Sequence, residues 1–329
     1  MGCKRLKGKS QLINHAVCIV SFMLCIFVFP ATVCAQQDGM NCLFMGHSFF
    51  APGMDHLPTH TDHAQIDSHQ QRVVFRAGGA GSPANLWGST AQNVLDAKAW
   101  IETGEVDLIG LTAYSTGSAF EDYARWVDFA RQYNPHTLFF IQAPWPTYPN
   151  SSTFTQYETS AAQTVALIHQ RIDQLRDAYP DNRFICIPQS RWMTELWRLF
   201  DQNLLPELTE FVAADSSQTQ NALFADNFGH AGELALREGA LLWLSAIYNI
   251  DLRNYQYDTG TQADLKSLAH DLLHEDLIYS GVNLLDLSIF SAAWLSIPTD
   301  QTWNQACDLV SDSVIDVEDL IFLCEFWLQ

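Results

Sequence analysis

Basic side chains are scarce in this sequence: 17 lysines and arginines stand against 37 aspartates and glutamates over 329 residues, a formal charge of -20 at pH 7. Four of the 17, Lys4, Arg5, Lys7 and Lys9, precede any acidic residue, so the rest of the chain sets 13 basic residues against 37 acidic ones. Such a balance repels phosphate backbones and anionic lipid, which argues against nucleic acid or a membrane surface as partner. No CxxC pair occurs, so neither a zinc ribbon nor a dithiol redox site is indicated. HExxH is also missing, no P-loop lysine follows the glycines, and Gly79-x-Gly81 lacks the third glycine of a dinucleotide fingerprint because Ala84 stands there. Nucleotide cofactors are therefore not implied.

What is plentiful is apolar: 48% of residues are hydrophobic, enough for one core of roughly 200 to 250 residues and a smaller module. The basic start runs into an apolar stretch over 16–28, then Pro30 and the small-residue end Ala31-Thr32-Val33-Cys34-Ala35, the layout of a secretory signal peptide cut after Ala35. The stretch is shorter than the ~20 residues of a spanning helix, and Val33 before Cys34 does not suit a lipoprotein site. The expectation is an exported chain, extracellular or periplasmic, with no membrane attachment after cleavage. Four of eight cysteines leave with the signal. Cys42 and Cys186 sit in apolar strand-like runs as buried residues or a disulfide, and export permits a bond between Cys307 and Cys324.

From 41 to about 274, short apolar runs (42–45, 72–75, 106–111, 137–141, 183–187) alternate with amphipathic stretches such as 119–133 and 155–179. That alternation predicts an α/β domain with a mostly parallel sheet. The stretch 231–249 is apolar nearly all round and is expected to be buried against the sheet. A further helix is expected over 261–274, opened by Thr261 and Asp264 in capping-box positions. The division that follows is 1–35 signal, 36–274 main domain and 275–329 tail.

The tail repeats itself: 282–295 (VNLLDLSIFSAAWL) overlays 315–328 (IDVEDLIFLCEFWL), with Asp286 on Asp319, Leu287 on Leu320 and Trp294 on Trp327. This duplicated loop-helix unit, a small all-α module, resembles a dockerin of the kind found on secreted polysaccharide-degrading proteins. The resemblance implies a cohesin-like or cell-surface partner. Asp308, Asp312, Asp316 and Asp319 occupy positions 1, 5, 9 and 12 of an EF-hand-like loop, whose hard oxygens suit calcium. Val310 and Ser313 depart from that pattern; in the first copy Glu275, Asn283 and Asp286 match while Leu277 and Tyr279 do not. The alternative is a pair of packed helical hairpins without metal.

Two loops carry the chemistry. Gly46-His47-Ser48-Phe49 follows the first expected strand, and functional groups collect where strands of an open α/β sheet end. Asp226-Asn227-Phe228-Gly229-His230 precedes the last long helix of that domain and offers the imidazole and carboxylate that an attacking serine needs. Over 41–249 this pattern resembles the SGNH, or GDSL-like, hydrolase family. The resemblance implies a three-layer α/β/α fold with a flavodoxin-like sheet and an ester hydrolase that uses no cofactor in catalysis. It implies Ser48 as nucleophile, His230 as base and Asp226 as its partner. It also implies an oxyanion hole from the Ser48 amide and that of Gly79 or Gly81, in the Gly78-Gly79-Ala80-Gly81-Ser82 run.

Two departures stand out. The family's third-block Asn has no counterpart in Leu111-Thr112-Ala113-Tyr114-Ser115-Thr116, which leaves Thr112 and Gln142 as substitute donors, and Asp226 and His230 are separated by three residues where the family has two. His47, His56, His60, His63 and His69 crowd together, but Pro58 weakens the helix that would align His56 with His60, so structural roles outweigh a metal site. Trp87, Trp145 and Trp192 fall near expected loop edges, where tryptophan faces can stack on sugars, although burial is the commoner fate of such rings. The expected function is removal of small acyl groups from a polysaccharide, with an acylated carbohydrate as substrate. The competing reading is a non-catalytic glycan-binding protein on the same fold.

Overall fold

The computed structural model describes residues 39–114, 118–215 and 218–280, and beyond them 290, 291, 293–300, 302, 307, 314–317, 319 and 320. The backbone alone is described for 277–280. The chain divides into two units, Met1–Gln36 and Gln37–Gln329, and only the second falls within this range. The expected signal peptide, and Asp308, Asp312, Asn283, Asp286 and Cys324, lie outside the described residues.

Five strands, β1 (Asn41–Gly46), β2 (Gln70–Phe75), β3 (Leu108–Thr112), β4 (Leu138–Gln142) and β5 (Phe184–Ile187), form one parallel sheet in the order β2-β1-β3-β4-β5. Their register alternates apolar residues between two cores, as a sheet covered on both faces requires. Phe44, Leu108, Phe140, Ile185 and Ile187 enter one core; Met45, Ile109, Ile141 and Cys186 enter the other.

The first face is covered by α1 (Ala51–Met54), α2 (Leu57–His63), α7 (Gln189–Asp201), α8 (Glu233–Tyr248) and α9 (Leu265–Ser280). The second is covered by α3 (Pro83–Trp87), α4 (Gln92–Glu102), α5 (Phe120–Arg131) and α6 (Phe154–Ala178). The architecture is three-layer α/β/α, as the resemblance implied, around the parallel sheet that the alternation predicts. A small parallel pair, β6 (Glu210–Val212) with β7 (Ala222–Phe224), was not foreseen from the sequence.

The all-apolar stretch is α8, and its Trp243 is fully buried with ring centroids 5.4 Å from both Phe44 and Phe50. Gly110 on β3 makes room for it: a Cβ there would come within 2.5 Å of the Phe44 ring and 3.2 Å of Trp243. Truncating so large a buried ring to Ala costs about 3–5 kcal/mol.

Three local expectations change. Helix α9 starts at Leu265, and Asp264 alone caps it, accepting from the Ser267 amide at 3.0 Å, while the Thr261 hydroxyl donates to Ala263 O. The helix continues past 274, its expected end, and its Glu275 pairs with Arg191. Pro58 sits in the first turn of α2, where a missing N–H costs nothing, so the helix forms despite it.

Candidate active site

Sheet order reverses between β1 and β3, and the crevice beyond their carboxyl ends is where loops from the two strands diverge. Ser48 lies there. Its turn is tight: the His47 carbonyl accepts from the amides of both Phe50 and Ala51 at 3.0 Å, leading straight into α1. Gly46 is obligatory, since a Cβ would lie 2.4 Å from the Phe50 ring and 2.6 Å from the Thr112 methyl. Between Cys42 and Phe50, Ser48 alone escapes full burial.

The loop before α8 comes to meet it. His230 Nε2 stands 2.8 Å from Ser48 Oγ, and His230 Nδ1 stands 2.6 Å from Asp226 Oδ2. With its Nδ1 proton donated to the carboxylate, the imidazole presents the Nε2 lone pair to the serine hydroxyl. Asp226 Oδ1 accepts from the amides of Gly229 (3.0 Å) and His230 (3.2 Å). Burial alone would raise the Asp226 carboxyl, but the bonds from His230 and these amides hold it below its ordinary value. The three residues between Asp226 and His230 turn at Gly229, whose φ of 103° lies in the region that side chains rarely adopt.

A second loop, after β4, stitches itself to this one. Trp145 Nε1–H donates to Gly229 O at 2.8 Å, the Tyr148 amide donates to Phe228 O at 2.9 Å, and Asn150 Nδ2 donates to Asn227 Oδ1 at 2.6 Å. A Cβ on Gly229 would meet Pro149 Cδ at 3.0 Å. Phe49 packs its ring 5.1 Å from the imidazole and 5.0 Å from Trp145, walling His230 on its buried side.

The expected oxyanion donors separate. The Ser48 and Gly79 amides meet no acceptor among the described residues; Gly79 lies in the first half of a 3-10 turn (Gly78–Gly81), where amides have no intrahelical partner. Asn85 Nδ2 donates to Gly79 O at 2.8 Å and fixes that turn. Gly81 answers to packing: a Cβ on it would fall 2.5 Å from Arg76 O and 2.7 Å from Gly46 O, so its smallness lets the turn abut β1. Thr112 is fully buried with its hydroxyl on Ala113 O, and Gln142 is fully buried with Nε2 donating to Phe49 O (2.9 Å) and Gln189 Oε1 (2.8 Å). Both substitute donors are thus already engaged, and Gln142 instead braces the turn that carries Ser48.

His47, which belongs both to the serine block and to the histidine cluster of the sequence, joins the two sides of the crevice. Its Nε2 stands 2.8 Å from Ala113 O, and Nδ1 accepts from the Phe49 amide. Burial drives its pKa below the ordinary histidine value, outweighing the bond to Ala113. Tyr114 follows, 41% exposed, its ring edge-on to His47 and 3.3 Å from the Cβ position of Gly79.

The other histidines scatter into separate roles: His60 Nε2 bonds Arg237 O, His69 Nδ1 bonds the Tyr248 hydroxyl, and His56 lies 3.7 Å from Glu233. Among the described residues, the group with metal-ligand proximity is a different one, His169, Cys186 and Asp276, and burial pushes its thiol pKa well up. Cys42 and Cys186 are buried free thiols. Of the expected calcium ligands, Asp316 and Asp319 are described, and Asp319 Oδ2 accepts from the Asp316 amide at 2.9 Å. Trp145 and Trp192 are buried, and Trp87 packs on Trp126, so none of the three offers an open face beside Ser48. The exposed aromatics of this region are Tyr114, Tyr148 and Phe228.

The chain matches no protein-family model and no curated protein. Among solved structures it is similar to a DUF4886 family protein from Bacteroides uniformis, with a TM-score of 0.46 and 12% identity over 71% of this chain and 94% of that one. It is also similar to the periplasmic domain of a lipopolysaccharide acetyltransferase from Salmonella ser. Paratyphi A, with a TM-score of 0.34 and 13% identity over 46% of this chain and 68% of that one.

Proposed function

We propose that this chain is an exported serine-dependent ester hydrolase of the SGNH type that removes small acyl groups from a carbohydrate. The observation that carries the reading is the relay Ser48 Oγ, His230 Nε2, His230 Nδ1 and Asp226 Oδ2, with successive gaps of 2.8 and 2.6 Å, at the switch point of a parallel sheet. Ser48 attacks the ester carbonyl as His230 takes its proton, and the carbonyl oxygen, now negative, is met by the amides of Ser48 and Gly79. His230 returns the proton to the departing alkoxide, which leaves as the alcohol. Water, deprotonated by His230, then cleaves the acyl-serine to the carboxylic acid and regenerates Ser48.

Export rests on the N-terminal sequence; among the described residues no helix is long and apolar enough to cross a membrane. The tail reading, a dockerin-like module with calcium held by Asp308, Asp312, Asp316 and Asp319 and a cohesin-like or cell-surface partner, rests on the repeat. The test of the catalytic reading is acetate release from a panel of acetylated polysaccharides and simple acetates, comparing the mature chain with Ser48→Ala. Release that vanishes in the variant supports the hydrolase. Glycan binding that is indifferent to Ser48→Ala, with no release from any ester, would instead favour a binding protein.

A further inference from the structure

His230 divides the crevice into two sides. The imidazole hands its proton to the departing alkoxide, so the alcohol half of the ester must lie against Nε2, while the carbonyl oxygen turns to the Ser48 and Gly79 amides. On the oxyanion side stands Tyr114, over Gly79.

The His230 side is aromatic and open. Phe228, 39% exposed, sits with its ring 5.3 Å from the imidazole, and Tyr148, 52% exposed, sits 5.1 Å from Phe228 at 79°. Rings of this size are ordinarily buried, so two adjacent ones left open beside a proton donor need a reason. Tyr148 is also strained: it holds φ 56°, ψ 58°, a left-handed conformation uncommon for a bulky side chain, immediately before Pro149. The 2.9 Å bond from its amide to Phe228 O pins that geometry, and backbone strain of this kind concentrates at ligand-contacting sites. Beside the rings, the exposed Asn150–Asn227 amide pair offers donors and acceptors. An open aromatic face bordered by amides complements a pyranose, which presents an apolar C–H face and a rim of hydroxyls. The excess of 37 acidic over 17 basic residues disfavours an anionic sugar.

We propose that Tyr148 and Phe228 form the subsite for the alcohol half of the ester, one ring stacking on an uncharged sugar and the other, nearly perpendicular to it, flanking that sugar, whose hydroxyl is the leaving group. This rests on the hydrolase reading and names its substrate side.

The test compares kcat/KM on an acetylated neutral oligosaccharide and on methyl acetate, for the mature chain, Tyr148→Ala, Phe228→Ala and Tyr148→Trp. The ratio of oligosaccharide to methyl acetate is expected to fall about tenfold in each alanine variant, chiefly through KM, and to be kept in Tyr148→Trp. An equal loss on both esters would make the pair a mere support for His230 and overturn the subsite, as would an unchanged ratio. If the mature chain cleaves neither ester, the hydrolase reading itself has failed. Calorimetric titration with the deacetylated oligosaccharide then reads the subsite alone: binding weakened about tenfold by Tyr148→Ala upholds it, and binding absent or unaltered overturns it.

Discussion

His230 Nε2 meets Ser48 Oγ at 2.8 Å across 182 residues of chain. The contact exists because β1 delivers the serine to the carboxyl edge of the sheet, while Gly229 bends the distant loop enough to bring the imidazole over it. The two residues act as one unit. Ser48→Ala and His230→Ala are each expected to lower kcat by about 10⁴-fold or more, and the double variant by hardly more than either, as for groups that share one step. Steady-state kinetics on any ester the mature chain cleaves checks the non-additivity.

Asp226 fixes the tautomer of His230 through Oδ2 and the loop backbone through Oδ1. Asp226→Asn keeps the size of the side chain but can leave the imidazole proton on the wrong nitrogen, and a fall in kcat of up to about 10⁴-fold is expected with little change in KM. Because the carboxyl is held below its ordinary value, its contribution to stability is present above the unfolded value near 3.9 and is lost as pH falls through the folded one. Acid unfolding followed by circular dichroism is expected to show a shallower decline for Asp226→Asn below about pH 4.

Gly229→Ala places a Cβ 3.0 Å from Pro149 Cδ at a φ of 103°. A cost of about 1–3 kcal/mol in stability is expected, together with a loss of up to about 100-fold in kcat from misplacing His230. Trp145→Phe is the gentler probe. It keeps a ring beside Phe49 but removes the 2.8 Å bond to Gly229 O, and denaturant melts should register about 1–3 kcal/mol for the carbonyl left unpaired.

His60 is buried on the carbonyl of Arg237, and burial pushes its pKa down to about 4. The unfolded chain takes up that proton near pH 6.5 and the folded chain does not. Over this window the unfolded state binds more protons, so the contribution to stability is complete above about pH 6.5 and drains away as pH falls towards 4. Tm is expected to fall across that range, with a smaller slope in His60→Gln, read by calorimetry at a series of pH values.

The five sheet strands were legible to within two residues at either end: the edge strand β2 from its short Val73-Val74-Phe75 run, and β1, β3, β4 and β5 because strands buried on both faces read as short apolar runs. Helix α8 was legible for the same reason. Ser48, Asp226 and His230 could be picked out from where loops fall between strands and helices, and the structure brings those three together. What a side chain bonds to is another matter. Thr112 and Gln142 end their strands as foreseen, yet local pattern does not say that Gln142 Nε2 turns inward to Phe49 O and Gln189. Trp145 falls near an expected loop edge, and burial is the commoner fate of such a ring, but its indole N–H finds Gly229 O only once the two loops dock. Tyr148 carried no signal, since its left-handed backbone is held by a hydrogen bond to a residue 80 positions away.

The most direct test of the central claim asks whether Ser48 is a nucleophile, independently of any substrate. A fluorophosphonate phosphonylates an activated serine with loss of fluoride, and intact-mass spectrometry reads the adduct. One adduct per chain is predicted, mapped by peptide fragmentation to Ser48 and strongly slowed in His230→Ala. A folded protein that takes up no phosphonate, or takes it up on another residue, would contradict the account.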